Sequence, residues 1–274
     1  MLTHEEILQA RERYLFSERE LYVLPDTEGP AYCLSLYSLS WSVRENNRFW
    51  VFNPPLYLPL SGEAALGLID DRRNEIALDN QRLEQAITFA VDHHAGQFRK
   101  GTMRPYILHP LETMQILNSM KADTNLLISG VLHDTLEDTE ATAEGIREDF
   151  GDDVAALILG NSEDKTKSWE ERKTHTIDGL ARASKRLKML IMADKVSNLR
   201  SLVADYAQIG NELWKRFNAP LEKQAWYYGS IQDALYDMQG NPECAPVYWE
   251  MVGLYKEIFV DLYCDRREGK LHEE

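Results

Sequence analysis

Apolar residues follow two different rhythms along this chain, and the change falls near residue 76. Before it, the pattern is mixed. Thr3 with Glu6 forms a capping-box pattern, and Ile7, Leu8, Tyr14, Leu15 and Leu21 give a loose apolar face, so a helix over residues 3–21 is expected. Pro25-Asp26 and Gly29-Pro30 then interrupt the chain. Over residues 31–43, alternate positions carry Cys33, Tyr37, Leu39, Trp41 and Val43, the period of a strand. Glu45-Asn46-Asn47-Arg48 reads as a turn and Phe49-Trp50-Val51-Phe52 as its partner strand, ended by Pro54, Pro55 and Pro59, which lack the ladder donor. Residues 1–75 are therefore expected to form a small α+β extension, a helix plus a β-hairpin, with the polar run Asp70-Asp71-Arg72-Arg73-Asn74 near its seam.

Residues 76–274 carry the other rhythm, and no stretch alternates convincingly. Leu83, Ala86, Ile87, Ala90, Val91 and His94 recur at three- and four-residue steps, the stripe of an amphipathic helix. A basic loop, residues 96–105, leads to a helix opened by Pro110 and continued by Leu111, Met114 and Leu117. Leu126, Leu127, Ile128, Val131 and Leu132 run directly into His133-Asp134-Thr135-Leu136-Glu137-Asp138. Further helices are expected from Val154, over residues 187–202, and in the tail over 221–238 and 246–266. The fold class is mainly α, an all-helical body with the small α+β extension before it.

Bulk properties narrow the function classes. A net charge of -15 works against general nucleic-acid or anionic-membrane binding, because the phosphate term is repulsive overall. Cys33, Cys244 and Cys264 are too scattered for a disulfide framework or a cysteine zinc site. The opening Met1-Leu2-Thr3-His4-Glu5-Glu6 has no basic or apolar leader, and no later run reaches membrane-spanning length, so a cytoplasmic protein is expected.

The chemistry gathers around residues 133–138. Residues three and four apart share a helical face, which sets Glu137 one turn from His133 and Asp134, and Asp138 one turn from Asp134. So many ionisable groups after a buried run cost several kcal/mol unless a partner neutralises them, and a divalent cation would do so. The mix of nitrogen and oxygen donors suits Mn, Fe or Zn better than Ca. Taken singly, each residue fits an ordinary role: an exposed acidic helix end, a loop histidine at His109, or Asp194 paired with Lys195 or Arg200. The ordered set His109, His133-Asp134 and Asp194, each beside apolar helix, points instead to a metal centre.

The runs Arg99-Lys100 … Pro105-Tyr106-Ile107-Leu108-His109-Pro110, Leu132-His133-Asp134-Thr135-Leu136-Glu137-Asp138-Thr139, Phe150-Gly151 and Ala193-Asp194-Lys195-Val196-Ser197-Asn198-Leu199-Arg200 stand in an order that resembles the HD-domain phosphohydrolases, and within them the RelA/SpoT homologues. Glu163-Asp164-Lys165-Thr166 with Glu171-Arg172-Lys173 is most similar to the small stand-alone hydrolases of the metazoan SpoT homologue type. The resemblance covers roughly residues 80–265. It implies a metal, usually Mn²⁺, held by His109, His133, Asp134 and Asp194, with another divalent transition metal as the alternative. It also implies that Glu137 and Asp138 position water and assist proton transfer, that Arg99 and Lys100 lie near substrate phosphates, and that Tyr106 and Asn198 bind nucleotide. The reaction implied is removal of pyrophosphate from the 3′ position of (p)ppGpp, and nothing like the family's synthetase domain follows. Two alternatives stand beside it. One is a hydrolase of (p)ppApp, NADPH or another phosphorylated nucleotide. The other is an antitoxin that neutralises a small alarmone synthetase through the N-terminal extension, which would then bind a protein partner or self-associate. His94, on the apolar face of its helix, is expected to be a core histidine with a satisfied hydrogen bond.

Overall fold

The structure, a computed structural model, describes residues 1–16, 20–24, 30–44 and 57–261. The element order is α1 (His4–Gln9), β1 (Glu12–Phe16), β2 (Glu20–Leu24), β3 (Ala31–Ser35), β4 (Ser40–Arg44), β5 (Tyr57–Pro59), α2 (Gly62–His93), α3 (Leu108–Ser119), α4 (Thr124–Leu132), α5 (Thr135–Asp138), α6 (Ala143–Phe150), α7 (Asp152–Asn161), α8 (Trp169–Leu180), α9 (Lys185–Ile209), α10 (Leu221–Ala234) and α11 (Ala245–Tyr255). Short 3₁₀ segments follow α9 and α10, and a π segment, Lys256–Asp261, follows α11. By internal contacts the chain divides into Met1–Gln81 and Arg82–Glu274. The protein is mainly α with an antiparallel sheet near its N-terminus, and no helix among the described residues is long and apolar enough to cross a membrane.

In the first unit the capping box on Thr3 and Glu6 is present, but α1 ends at Gln9 instead of running to residue 21. The continuation forms β1 and β2, part of a five-stranded antiparallel sheet ordered β4-β3-β2-β1-β5. The expected simple hairpin is thus a larger sheet. The signal was ambiguous because Leu21, Tyr22, Val23 and Leu24 are all buried, which erases period-two alternation and leaves a short apolar run that suits helix or strand equally. The expected single strand over 31–43 is two strands joined by a turn in which Leu39 takes a positive φ of 50°. Arg72 on α2 holds this turn by donating to the carbonyls of Leu36 and Tyr37. Ile7, Leu21, Val23 and Leu34 pack with Ala65 and Ile69 of α2 as this unit's core. The polar run 70–74 does not interrupt α2, since it lacks Gly and Pro and is laced by i,i+3 pairs between Arg73 and Asp70 and between Arg72 and Glu75. The expected strand at 49–52 lies outside the described residues.

The second unit is helical, as the sequence pattern requires. Four of its helices begin at side-chain caps: Asp123 accepts from the Leu126 amide, Thr142 from Gly145, Ser168 from Glu171 and Ser184 from Leu187. Helix α4 lies between two apolar clusters. Leu126 joins Leu117 and Met120 with Leu190, Met192, Ala193, Val196 and Leu199 of α9. Ile128, Val131 and Leu132 join Ala86 and Ala90 of α2 with Ile146, Phe150, Val154 and Ile158. A buried helix of this kind shows no polar stripe. The tail helices are shorter than expected, α10 ending at Ala234 and α11 at Tyr255, and α9 is longer.

Helices α3 and α4 approach closely because Gly130 has no side chain. A Cβ there would stand 2.5 Å from Leu117 Cδ1 and 3.4 Å from Met114 Cα. Leu117 is fully buried and has nowhere to move. Gly130→Val is expected to lower the unfolding free energy by about 1–3 kcal/mol through overpacking, read as a lower urea midpoint with an unchanged slope. An unchanged midpoint would show that the contact yields freely.

Candidate metal centre

Three helices bring His109, His133 and Asp194 to one point, with Asp134 beside the two histidines. His109 sits in the first turn of α3, His133 and Asp134 follow the end of α4, and Asp194 lies mid-way along α9. Helix α4 ends where it does because side chains take its last carbonyls: His133 Nδ1 donates to the Gly130 carbonyl (2.9 Å) and Thr135 Oγ1 to that of Leu132 (2.6 Å). The single helix expected through residue 138 is therefore broken at His133-Asp134 and resumes as α5, although the amides of Glu137 and Asp138 still donate to the Asp134 carbonyl.

His109 Nε2 lies 3.2 Å from His133 Nε2, 3.2 Å from Asp194 Oδ1 and 3.5 Å from Asp134 Oδ2. His133 Nε2 lies 3.1 Å from Asp134 Oδ2 and 3.7 Å from Asp194 Oδ1. Atoms bound about 2.1 Å from a common ion are separated by about 3.0 Å in octahedral and about 3.4 Å in tetrahedral arrangements, so these spacings match a shared cation. His133 is fully buried, and His109 and Asp194 nearly so.

Hydrogen bonding fixes which ring atoms face inward. With His133 Nδ1–H committed to Gly130, its Nε2 lone pair points at the cluster. His109 Nδ1 meets Ser197 Oγ at 2.7 Å, and that hydroxyl donates to Glu112 (2.8 Å), so His109 is the donor to it and its Nε2 is also a lone pair. Glu112 is held by Arg200, which also binds Glu250 of α11. Burial favours neutral His133, but Asp134 and Asp194 overcome this and push its pKa well above the usual value. Burial likewise works against both carboxylates. The imidazoles hold Asp134, and Lys195 with the imidazoles holds Asp194, well below the ordinary carboxylate range. Two lone pairs beside two carboxylates require a cation, whether proton or metal, and the mutually close His109, His133 and Asp194 fit a divalent metal, with Asp134 adjacent to both histidines.

Around this centre Tyr106 donates to Asp134 Oδ2 at 2.5 Å and lies 3.3 Å from Asp138 Oδ2. Its phenol is pushed up by burial and by Asp134. Asn198, one turn after Asp194, donates to Asp194 Oδ1 (2.5 Å) and accepts from Arg99 (2.9 Å). Glu137 accepts from the Glu163 amide (2.9 Å), and burial followed by repulsion from Asp134 raises its pKa. Lys165 donates to the Glu137 carbonyl and to Asp138 Oδ1. Beside these groups opens a cavity of about 180 Å³ whose walls include Arg99, Lys100, Tyr106 and Asn198. Lys100 stands over the Phe217 ring, 6.0 Å from its centroid, and makes no ion pair among the described residues.

The sequence reading missed the supports. Ser197 and Glu112 each lie three residues after a candidate ligand, the spacing that shares a helical face, and that was the available signal. Gln97 links His94 Nδ1 to the Asp138 carbonyl, so one nitrogen of the buried His94 is satisfied while its Nε2 has no partner among the described residues. Ser197→Ala is expected to weaken divalent-metal affinity by about 10–100-fold, as measured by calorimetric titration. Equal affinity in the two proteins would remove the hydroxyl from the site.

The HD domain family profile matches residues 86–221. Over 121 residues the chain is 39% identical to guanosine-3′,5′-bis(diphosphate) 3′-pyrophosphohydrolase MESH1 of Xenopus tropicalis, a match that covers 43% of this chain and 68% of the relative. It is 37% identical over 126 residues to a GTP pyrophosphokinase of Streptomyces coelicolor, covering 44% of this chain and only 15% of that protein. Among solved structures, lmo0812 of Listeria monocytogenes aligns with a TM-score of 0.52 at 39% identity, over 55% of this chain and 98% of that one. A metazoan ortholog of SpoT, described as hydrolysing ppGpp with a role in starvation responses, aligns with a TM-score of 0.52 at 25% identity over 69% of this chain and 97% of that one. With the profile, these relatives and the fold in agreement, the chain belongs to the HD-domain family, among the RelA/SpoT-type and MESH1-type proteins.

Proposed function

We propose that this protein is a metal-dependent hydrolase that removes the 3′-pyrophosphate from (p)ppGpp-type nucleotides. The observation that carries this reading is a basic cavity beside the His-Asp cluster, two of whose wall residues, Tyr106 and Asn198, hydrogen-bond Asp134 and Asp194. The names of the relatives supply the substrate. Residues 76–274 are assigned as the catalytic body and residues 1–75 as an extension.

His109, His133, Asp134 and Asp194 would hold the metal; the donor set suits Mn, Fe or Zn, and the family resemblance implies Mn²⁺ among them, with another divalent transition metal as the alternative. Such an ion supplies Lewis acidity and lowers the pKa of water enough to furnish hydroxide near neutral pH. The protein's own groups do the rest. Glu137, held by the Glu163 amide, takes the proton from the attacking water, and Asp138 orients that water beside Lys165. The bond between phosphorus and the 3′ oxygen breaks, the proton passes to that oxygen, and 3′-hydroxyl nucleotide and pyrophosphate leave. Arg99 and Lys100 offset charge on the phosphoryl groups. Tyr106, its phenol kept protonated, fixes the Asp134 carboxylate.

Incubation with guanosine tetraphosphate, its adenosine analogue or NADPH, with Mn²⁺ or with EDTA, tests the reading. Pyrophosphate release from the guanosine substrate, abolished by EDTA and by Asp134→Ala, is expected. Phosphate release from NADPH alone would replace the proposed substrate, and no turnover would remove the enzyme reading.

Glu137→Gln is expected to reduce kcat by about 10²–10⁴-fold. The Glu137 pKa is raised, so its basic form is lost as pH falls through a value above the ordinary glutamate range. The acid limb of kcat in the parent enzyme should therefore lie above that range and vanish in the variant. An acid limb that persists in Glu137→Gln would assign the base elsewhere.

A further inference from the structure

The cavity continues past the groups that touch the metal ligands, and its far end carries charge that hydrolysis at the near end leaves unexplained. Along α9 the positions facing the cavity are Asn198, Ser201, Leu202 and Asp205, spaced by three and four residues after Asp194. Asp205 lies eleven residues beyond Asp194, about 16 Å along the axis at about 1.5 Å per residue. There Arg216 donates to Asp205 Oδ2 at 2.9 Å, and Arg104 lies 3.9 Å from Asp205 Oδ1.

Two local features hold this arrangement. Arg216 crosses over Gly101, where a Cβ would stand 2.5 Å from its Cδ and Nε, and Gly101 has the positive φ (71°) that glycine tolerates. The loop that carries Arg104 is closed by hydrogen bonds from the Arg99 amide to the Arg104 carbonyl and from the Thr102 amide to the Arg99 carbonyl. Arg99, Lys100, Arg104 and Arg216 thus line one cavity against the single carboxylate of Asp205, a surplus of three positive charges in a chain of net charge -15. Asp205 is shared between two guanidinium groups and orients them without neutralising both.

We propose that Arg104 and Arg216, oriented by Asp205, form a second anion subsite that binds the 5′-phosphate groups of the nucleotide while the metal centre acts on its 3′ end. This deepens the proposed function and rests on it for the identity of the ligand. The subsite lies farther along α9 than the metal centre, and its charge selects substrates with a 5′-diphosphate over those with a free 5′-hydroxyl.

The Mn²⁺-loaded enzyme and its Arg216→Gln and Arg104→Gln variants are compared on guanosine 3′,5′-bis(diphosphate) and on guanosine 3′-diphosphate with a free 5′-hydroxyl. In the parent enzyme, KM should be about 10–100-fold higher for the 5′-hydroxyl substrate, the range expected for losing charged hydrogen bonds. Each variant should bring the two KM values toward equality. A parent enzyme that does not distinguish the substrates, or variants that lose both equally, would overturn the subsite. Calorimetric binding of guanosine 5′-diphosphate against guanosine keeps the test independent of turnover. Tight binding of the diphosphate alone, weakened by about tenfold in Arg216→Gln, supports the subsite even if neither substrate is hydrolysed. No binding of the diphosphate by the parent protein would overturn the subsite and leave the 3′ reaction standing on its own assay.

Discussion

Two imidazole nitrogens and two carboxylates meeting within a few ångströms, in a nearly dry interior, form the constraint around which the helical body is arranged. None of these groups neutralises another without a proton or an ion between them, and water is largely excluded. The surrounding chain therefore holds them together from outside. Gly130 lets α3 and α4 close on each other, Ser197 and the Gly130 carbonyl set the ring orientations, and Lys195 balances Asp194 from behind.

These supports are connected. Ser197 passes the orientation of His109 to Glu112, Glu112 to Arg200, and Arg200 to Glu250 on α11. Helix α11 packs on α9, so the distal helix that completes the apolar core also braces a candidate ligand. Stability and chemistry draw on the same contacts here. The cost of burying charge is met by geometry that needs the whole helical body.

On the substrate side the division of labour follows chain position. One short loop, from Gly96 to Pro105, supplies Arg99, Lys100 and Arg104, and one face of α9 supplies Asn198, Ser201 and Asp205. A loop pinned at both ends by backbone hydrogen bonds can present several cations close together, whereas a helix spaces its polar groups along a line. Together they turn a strongly acidic protein into one with a local site for a polyanion, a question of placement that net charge does not address.

Much of this was legible in the residues themselves. The apolar stripe at Leu83–His94, the buried run ending at Leu132 and the ordered His109, His133-Asp134 and Asp194 identified an all-helical body and its candidate ligands, because helix periodicity and the cost of buried charge are local properties. The sheet of the first unit was not legible: β2 buries both faces, so its side chains carry no alternation, and only its pairing partners decide between strand and helix. Nor could spacing reveal the break at His133, which depends on two side chains capturing carbonyls, or the pairing of Asp205 with Arg104 and Arg216. Sequence by itself determined which groups needed a partner. The tertiary structure decided which partner each one met, because residues far apart in the chain become neighbours only when the helices pack.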